Sequence, residues 1–138
     1  MLYKKILRVM PVLTVDLVIV WRGKFLLVKR ASPPFRGAWW IPGGRFQKGE
    51  TFESAAHRLA KEETGLDIKI IKLLGVGDMY EQRWGIRVHS IGVVYLVRPK
   101  DISRLQVNRE SKEVAWFKKA PNKLHPVVKR FLNTAGLG

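Results

Sequence analysis

Residues 44–66 read GRFQKGETFESAAHRLAKEETGL, and the middle of this stretch carries the marks of a helix. Thr51 suits the capping position at its start, Glu53 is favourable in the first turn, and Gly65 suits the left-handed residue just past the end, which predicts a helix over 52–64. Phe52, Ala55, Ala56, Leu59 and Leu66 recur at spacings of three and four and define an apolar stripe, so Leu59 reads as core. Against this regularity stand Glu62 and Glu63. The unpaired carbonyls at a helix C-terminus carry roughly half a negative charge, so an acid there costs about 0.3–1 kcal/mol. Pairing with Arg58 or Lys61 is one way to offset them. The other is a metal: if the loop holding Gly43, Gly44, Arg45, Lys48 and Glu50 folds against the helix, carbonyl and carboxylate oxygens converge into a site for magnesium or manganese.

Outward from the helix, the chain reads as strands. Residues 12–21, VLTVDLVIVW, are β-branched and apolar, and GKFLLVKR follows after a hairpin turn at Trp21-Arg22-Gly23. Asp16 lies inside the first of these strands, where a carboxylate is expensive without a partner. ASPPFRG is a loop, and AWW begins a short strand that ends at Pro42-Gly43-Gly44. Residues 68–97 predict two long antiparallel strands with a turn at Trp84-Gly85, KEVAWFKK a further strand, and 121–134 a helix beginning at Pro121 or Asn122. Of Trp39 and Trp40, on opposite faces of their strand, one packs inward and the other lines a cleft or a subunit contact; a base could stack on Tyr80 or Trp84, but core or turn packing is the better reading of each. The sum is a mixed sheet covered by helices on both sides.

Composition narrows the partners. The 138 residues fit one domain, 1–138, with 46% hydrophobic content that argues against disorder. With 26 basic and 11 acidic residues the formal charge is +15, which favours an anionic partner such as a nucleotide, a sugar nucleotide, RNA or an anionic lipid. The absence of cysteine excludes disulfides, thiol catalysis and cysteine-based zinc. Lys4, Lys5 and Arg8 interrupt the apolar amino end, and no apolar run reaches the length of a membrane span, so the chain reads as a cytoplasmic protein with no membrane partner.

Gly44, Glu50, Arg58, Glu62, Glu63, Gly65 and Leu66 fall in the spacing G-x5-E-x7-R-x3-E-E-x-G-hydrophobic, which resembles the signature of the Nudix hydrolases. The resemblance implies an α/β fold, an α/β/α sandwich with a mixed sheet and a loop-helix-loop motif. One position departs from it. The family has a glutamate directly after the arginine, and here Leu59 follows Arg58. Together with PVLTVDLVIVWRGKFLLVKR and WWIPGGRFQKGETFESAAHRLAKEETGL, that departure is similar to the GDP-mannose mannosyl hydrolase subgroup.

This resemblance implies one magnesium ion and attack of water at the anomeric carbon, releasing GDP and sugar. It implies that the Gly43 carbonyl and Glu63 ligate the metal, with Glu62 reaching it through water. Arg45 and Arg30 would stabilise the diphosphate and Asp16 would bind sugar hydroxyls, while Arg58 orients Glu50, a structural pair within the motif along with Gly44 and Gly65. The relatives place a histidine base shortly before a tryptophan matching Trp116; here that loop offers Ser111 flanked by Glu110 and Glu113. Either glutamate, or His89 on its strand, is a candidate base, whereas His57 and His125 have no functional argument. A homodimer is also implied. Two other readings stay open: pyrophosphate hydrolysis of nucleoside triphosphates, dinucleotides or ADP-ribose, and a catalytically weak module that binds RNA or nucleotide, which the scatter of the basic residues disfavours.

Overall fold

A computed structural model describes residues 2–31, 35–106 and 111–137. The element order is α1 (Leu2–Val9), β1 (Val12–Trp21), β2 (Lys24–Arg30), β3 (Trp39–Trp40), β4 (Gly43–Arg45), α2 (Phe52–Thr64), β5 (Ile68–Arg83), β6 (Ile86–Pro99), β7 (Ser111–Phe117) and α3 (Pro126–Thr134). The strands form one mixed sheet in the order β3-β2-β1-β6-β5, with β4 also on β1 and β7 also on β2. β1 and β6 run parallel and the other pairs are antiparallel. β1 gives its early residues Thr14, Val15 and Asp16 to β4 and its last residues to β2, and this change of partner sets the glycine loop beside the sheet centre.

Both faces of the sheet are covered, which explains the nearly continuous apolar run in β1. Val15, Leu17 and Ile19 pack with Val93, Tyr95 and Val97 against Ala55, Ala56, Leu59 and Ala60 of α2. On the other face Val18, Phe25, Leu27 and Val94 meet Val128, Phe131 and Leu132 of α3. Each fully buried large side chain contributes roughly 1.5–3 kcal/mol. None of the described helices is long and apolar enough to cross a membrane.

α2 occupies the residues its sequence predicts. Thr51 and Ser54 exchange hydrogen bonds at its start, and Gly65 closes it at φ 75°, with its N–H donating to the Lys61 carbonyl. The carboxy-terminal helix differs from expectation: it begins at Pro126 rather than at Pro121 or Asn122. A proline in a helix interior lacks the N–H and clashes with the preceding turn, so Pro126 can only stand in the first turn. His125 caps it instead, its Nδ1 accepting from the Val127 N–H at 3.1 Å. α1 was not anticipated among the lysines of the amino end; Tyr3 and Leu7, one turn apart, dock it beside Ile86 and Val88.

Candidate active site

A cavity of about 550 Å³ runs along the sheet where β4 and the end of α2 meet the central strands. Asp16, Arg30, Gly43, Gly44, Arg45, Arg58, Leu59, Glu62 and Glu63 all line it, so residues spread over nearly fifty positions of the chain are gathered in one place. Gly44 is a point of close approach between β4 and α2: a Cβ there would stand 2.7 Å from Leu59 Cδ2, with Glu63 Oε1 at 3.9 Å. Leu59 is 2% exposed and belongs to the core while forming part of the cavity wall.

Arg58 ties loop and helix together. Its Nε and Nη2 donate to the two carboxylate oxygens of Glu50, at 2.6 and 2.9 Å, and Nη2 also donates to the Arg45 carbonyl at 2.9 Å. The Arg58 hydrogen bonds hold the Glu50 carboxyl below the usual carboxylate range, and Glu50 in turn raises the Arg58 guanidinium. The remaining nitrogen, Nη1, donates to Glu62 Oε2 at 3.0 Å one turn further on. Glu62 at the helix end is thereby paired within the motif. Lys61 turns away to Asp67, 3.5 Å distant.

Asp16 sits on the cavity floor with glycines on either side. Thr14 Oγ1 donates to its Oδ2 at 2.9 Å. A Cβ on Gly92 would lie 2.6 Å from Oδ2, and one on Gly43 would collide with Oδ1. Burial pushes the Asp16 carboxyl up to about 7 against the opposing pull of the Thr14 hydrogen bond.

The donor set fits a divalent metal of the hard kind. Among the described residues no three His, Cys, Asp or Glu side chains gather to hold an ion on their own. Glu62 and Glu63 are adjacent on the wall beside Gly43 and Gly44, and Glu50 is held by Arg58. Two carboxylates with carbonyl, water and phosphate oxygens make up the kind of set magnesium accepts.

The candidate bases fare differently. Glu110 lies outside the described residues. Glu113 is exposed on β7, opposite Lys29 and ion-paired with it at 3.0 Å, and does not line the cavity. His89 does not line the cavity; it stacks on Tyr80 at 4.3 Å and meets, at 3.2 Å, Oδ2 of Asp78, which does. His57 is exposed on α2. Of the tryptophan pair, Trp39 packs edge-on against Phe117, whereas Trp40 lines the cavity and stacks on Phe35. Tyr80 and Trp84 are not core, at 49% and 48% exposed; Trp84 packs in the β5–β6 turn, as one of the two expectations had it, and lines the cavity. Tyr3, Glu81 and Arg83 line it too, and the sequence reading did not reach them.

The NUDIX domain profile matches residues 10–132. The chain belongs to the Nudix family. Among its relatives is the low-salt glycan biosynthesis protein Agl8 of Haloferax volcanii, 32% identical over 127 residues, covering 89% of this chain and 81% of that one. An ADP-ribose pyrophosphatase of Methanocaldococcus jannaschii is 38% identical over 109 residues, 78% of this chain and 62% of the relative. The crystal structure of a MutT Nudix hydrolase from Burkholderia pseudomallei superposes with a TM-score of 0.80 at 28% identity, over 91% of this chain and 98% of that one. As a Nudix domain, the chain has its loop-helix-loop motif at β4 and α2, and the departure at Leu59 stands at the cavity wall.

Proposed function

We propose that this Nudix protein is a magnesium-dependent hydrolase of nucleoside diphosphate sugars, GDP-mannose foremost, that attacks the anomeric carbon and releases GDP and sugar. The observation that carries the reading is Leu59. It occupies the helical position one turn before Glu63 with a buried apolar side chain, and Arg58 takes both carboxylate oxygens of Glu50 and one of Glu62, so the carboxylate oxygens Arg58 does not take at this end of α2 are those of Glu63 and Oε1 of Glu62. That set suits one ion bound to a departing diphosphate better than the several ions used to activate water at phosphorus. Similarity to a glycan biosynthesis protein is in keeping with a sugar nucleotide.

In this reading Glu63 and the Gly43 carbonyl bind magnesium, with Glu62 reaching it through water, and the ion when bound neutralises charge on the diphosphate. Arg45 and Arg30 hold the diphosphate oxygens, and Asp16 positions the sugar by its hydroxyls. Water bonds to the anomeric carbon and gives up a proton to the bulk solvent as the bond from that carbon to the diphosphate oxygen breaks, and the electron pair of that bond leaves with GDP. The protein works in the cytoplasm as a homodimer.

Turnover of GDP-mannose with magnesium in ¹⁸O water tests this. Label in the released mannose is expected; label in phosphate overturns attack at carbon. A second reading has support from the similarity to an ADP-ribose pyrophosphatase. Release of a nucleoside monophosphate with labelled phosphate would establish it instead.

A further inference from the structure

One corner of the cavity is built from residues that the diphosphate chemistry does not use. Trp84 lies in the β5–β6 turn at φ 52°, a left-handed conformation that costs a residue with a Cβ roughly 1–2 kcal/mol. It is half exposed and lines the cavity rather than packing into a core. Tyr3 of α1 approaches it edge-on, ring centroids 6.0 Å apart. The Arg45 guanidinium lies 4.5 Å from the Tyr3 ring centre, so the proposed diphosphate residue and the aromatic corner are neighbours.

Beside Trp84, Arg83 and Glu81 face the same cavity, and Arg83 Nη2 meets Glu81 Oε1 at 3.1 Å. Arg83 Nε is buried, and among the described residues it has no acceptor. A buried donor left in this way costs free energy until something accepts from it. An aromatic ring face, an unsatisfied donor and a carboxylate acceptor together complement a flat heterocycle with ring nitrogens and exocyclic groups.

We propose that the Tyr3–Trp84 corner is the nucleobase subsite and that a purine fills it, stacked on Trp84 with a ring acceptor on Arg83 Nε. The proposal rests on the nucleotide reading above and adds where and how the base is held. The bicyclic purine covers more of the indole than a pyrimidine does. The Arg83 guanidinium lies 5.4 Å from the Trp84 ring centre, so the stacked base and the arginine meet at one ring.

Titration calorimetry of the full chain with magnesium and non-hydrolysable ligands tests the subsite without turnover. The probes are α,β-methylene-GDP, α,β-methylene-UDP and base-free methylenediphosphonate. The guanine ligand is expected to bind at least about tenfold tighter than methylenediphosphonate, a margin in the range of one stacked base. Trp84→Ala removes most of that margin and Trp84→Phe keeps it, while methylenediphosphonate affinity stays unchanged in both. Arg83→Met narrows the margin in the same way. Equal binding of the guanine and base-free ligands overturns the subsite, as does a Trp84→Ala variant that weakens both alike. Equal binding of the guanine and uracil ligands overturns the purine assignment. These equilibria do not depend on which bond is cleaved, so phosphorus attack would leave them intact, and loss of the base margin would leave the carbon-attack reading standing.

Discussion

Glu63 and Asp16 are two carboxylates of one cavity placed in opposite circumstances. Glu63 stands at the end of α2, where the helix field disfavours its charge and a dication would reverse the balance. Glu63→Gln is therefore expected to lower kcat at saturating magnesium at least about 100-fold, beyond the 10–100-fold typical of residues that only support metal ligands, with an unchanged melting temperature in EDTA. Activity near wild type would remove Glu63 from the metal site. Asp16 is enclosed by Gly43, Gly92 and Thr14, and burial raises its carboxyl from the ordinary 3.8 to about 7. A raised carboxyl favours the protonated folded state, so its contribution to stability is fully present below about pH 4 and is lost as the pH climbs through 7. Measured in EDTA, Asp16→Asn should flatten that loss, on the order of 3 kcal/mol after allowance for its partial exposure to the cavity. A variant whose denaturation midpoint follows the wild-type pH curve would show that the Asp16 carboxyl does not titrate there.

At the scale of elements, what the sequence displays and what it conceals follow from how local each signal is. α2 was legible to the residue because its cap, stripe and closing glycine all act within one or two turns. The β1–β2 and β5–β6 hairpins were legible because Arg22-Gly23 and Trp84-Gly85 take positive φ in two-residue turns. The start of α3 was misread because loop residues before Pro126 imitate a helix start, and only the structure shows His125 accepting from the Val127 N–H. That cap depends on a neutral imidazole. Burial lowers the His125 pKa from 6.5, so its contribution is present above pH 6.5 and is lost as the pH falls through the lowered value and Nδ1 gains a proton. His125→Asn, which caps without titrating, should keep the helix and reduce acid sensitivity by about 1 kcal/mol, read as the difference in denaturation midpoint between pH 7 and pH 5. An unchanged difference would mean that α3 does not depend on this cap.

Across the whole molecule, the motif residues were found because they sit at fixed short separations. Tyr3, Glu81 and Arg83 were not, because they reach the cavity only after α1 docks on β6 and the β5–β6 hairpin curls beside it. The net charge of +15 was visible at once but undirected; the cavity is lined by Arg30, Arg45, Arg58 and Arg83 together with Asp16, Glu62, Glu63, Asp78 and Glu81, so most of the positive excess lies outside it. Arg58 is committed to Glu50 and Glu62 and Arg83 meets Glu81, while Arg30 and Arg45 are the two to which the proposed function gives the diphosphate. A strongly positive molecule draws anionic substrate from beyond contact distance, and screening with a Debye length of about 10 Å at 0.1 M salt weakens that pull. If capture limits turnover at low substrate, kcat/KM for a sugar nucleotide should fall several-fold between 20 and 300 mM KCl while kcat stays level, because the bound diphosphate is close to its partners and poorly screened. Arg30→Gln should reduce both kcat and the salt slope, whereas Lys118→Gln, at an exposed residue outside the cavity lining, should reduce the slope slightly and leave kcat alone. A kcat that falls in parallel with kcat/KM would instead place the salt effect on the bound state, and the arginines would then act on the reaction itself rather than on the approach of the substrate.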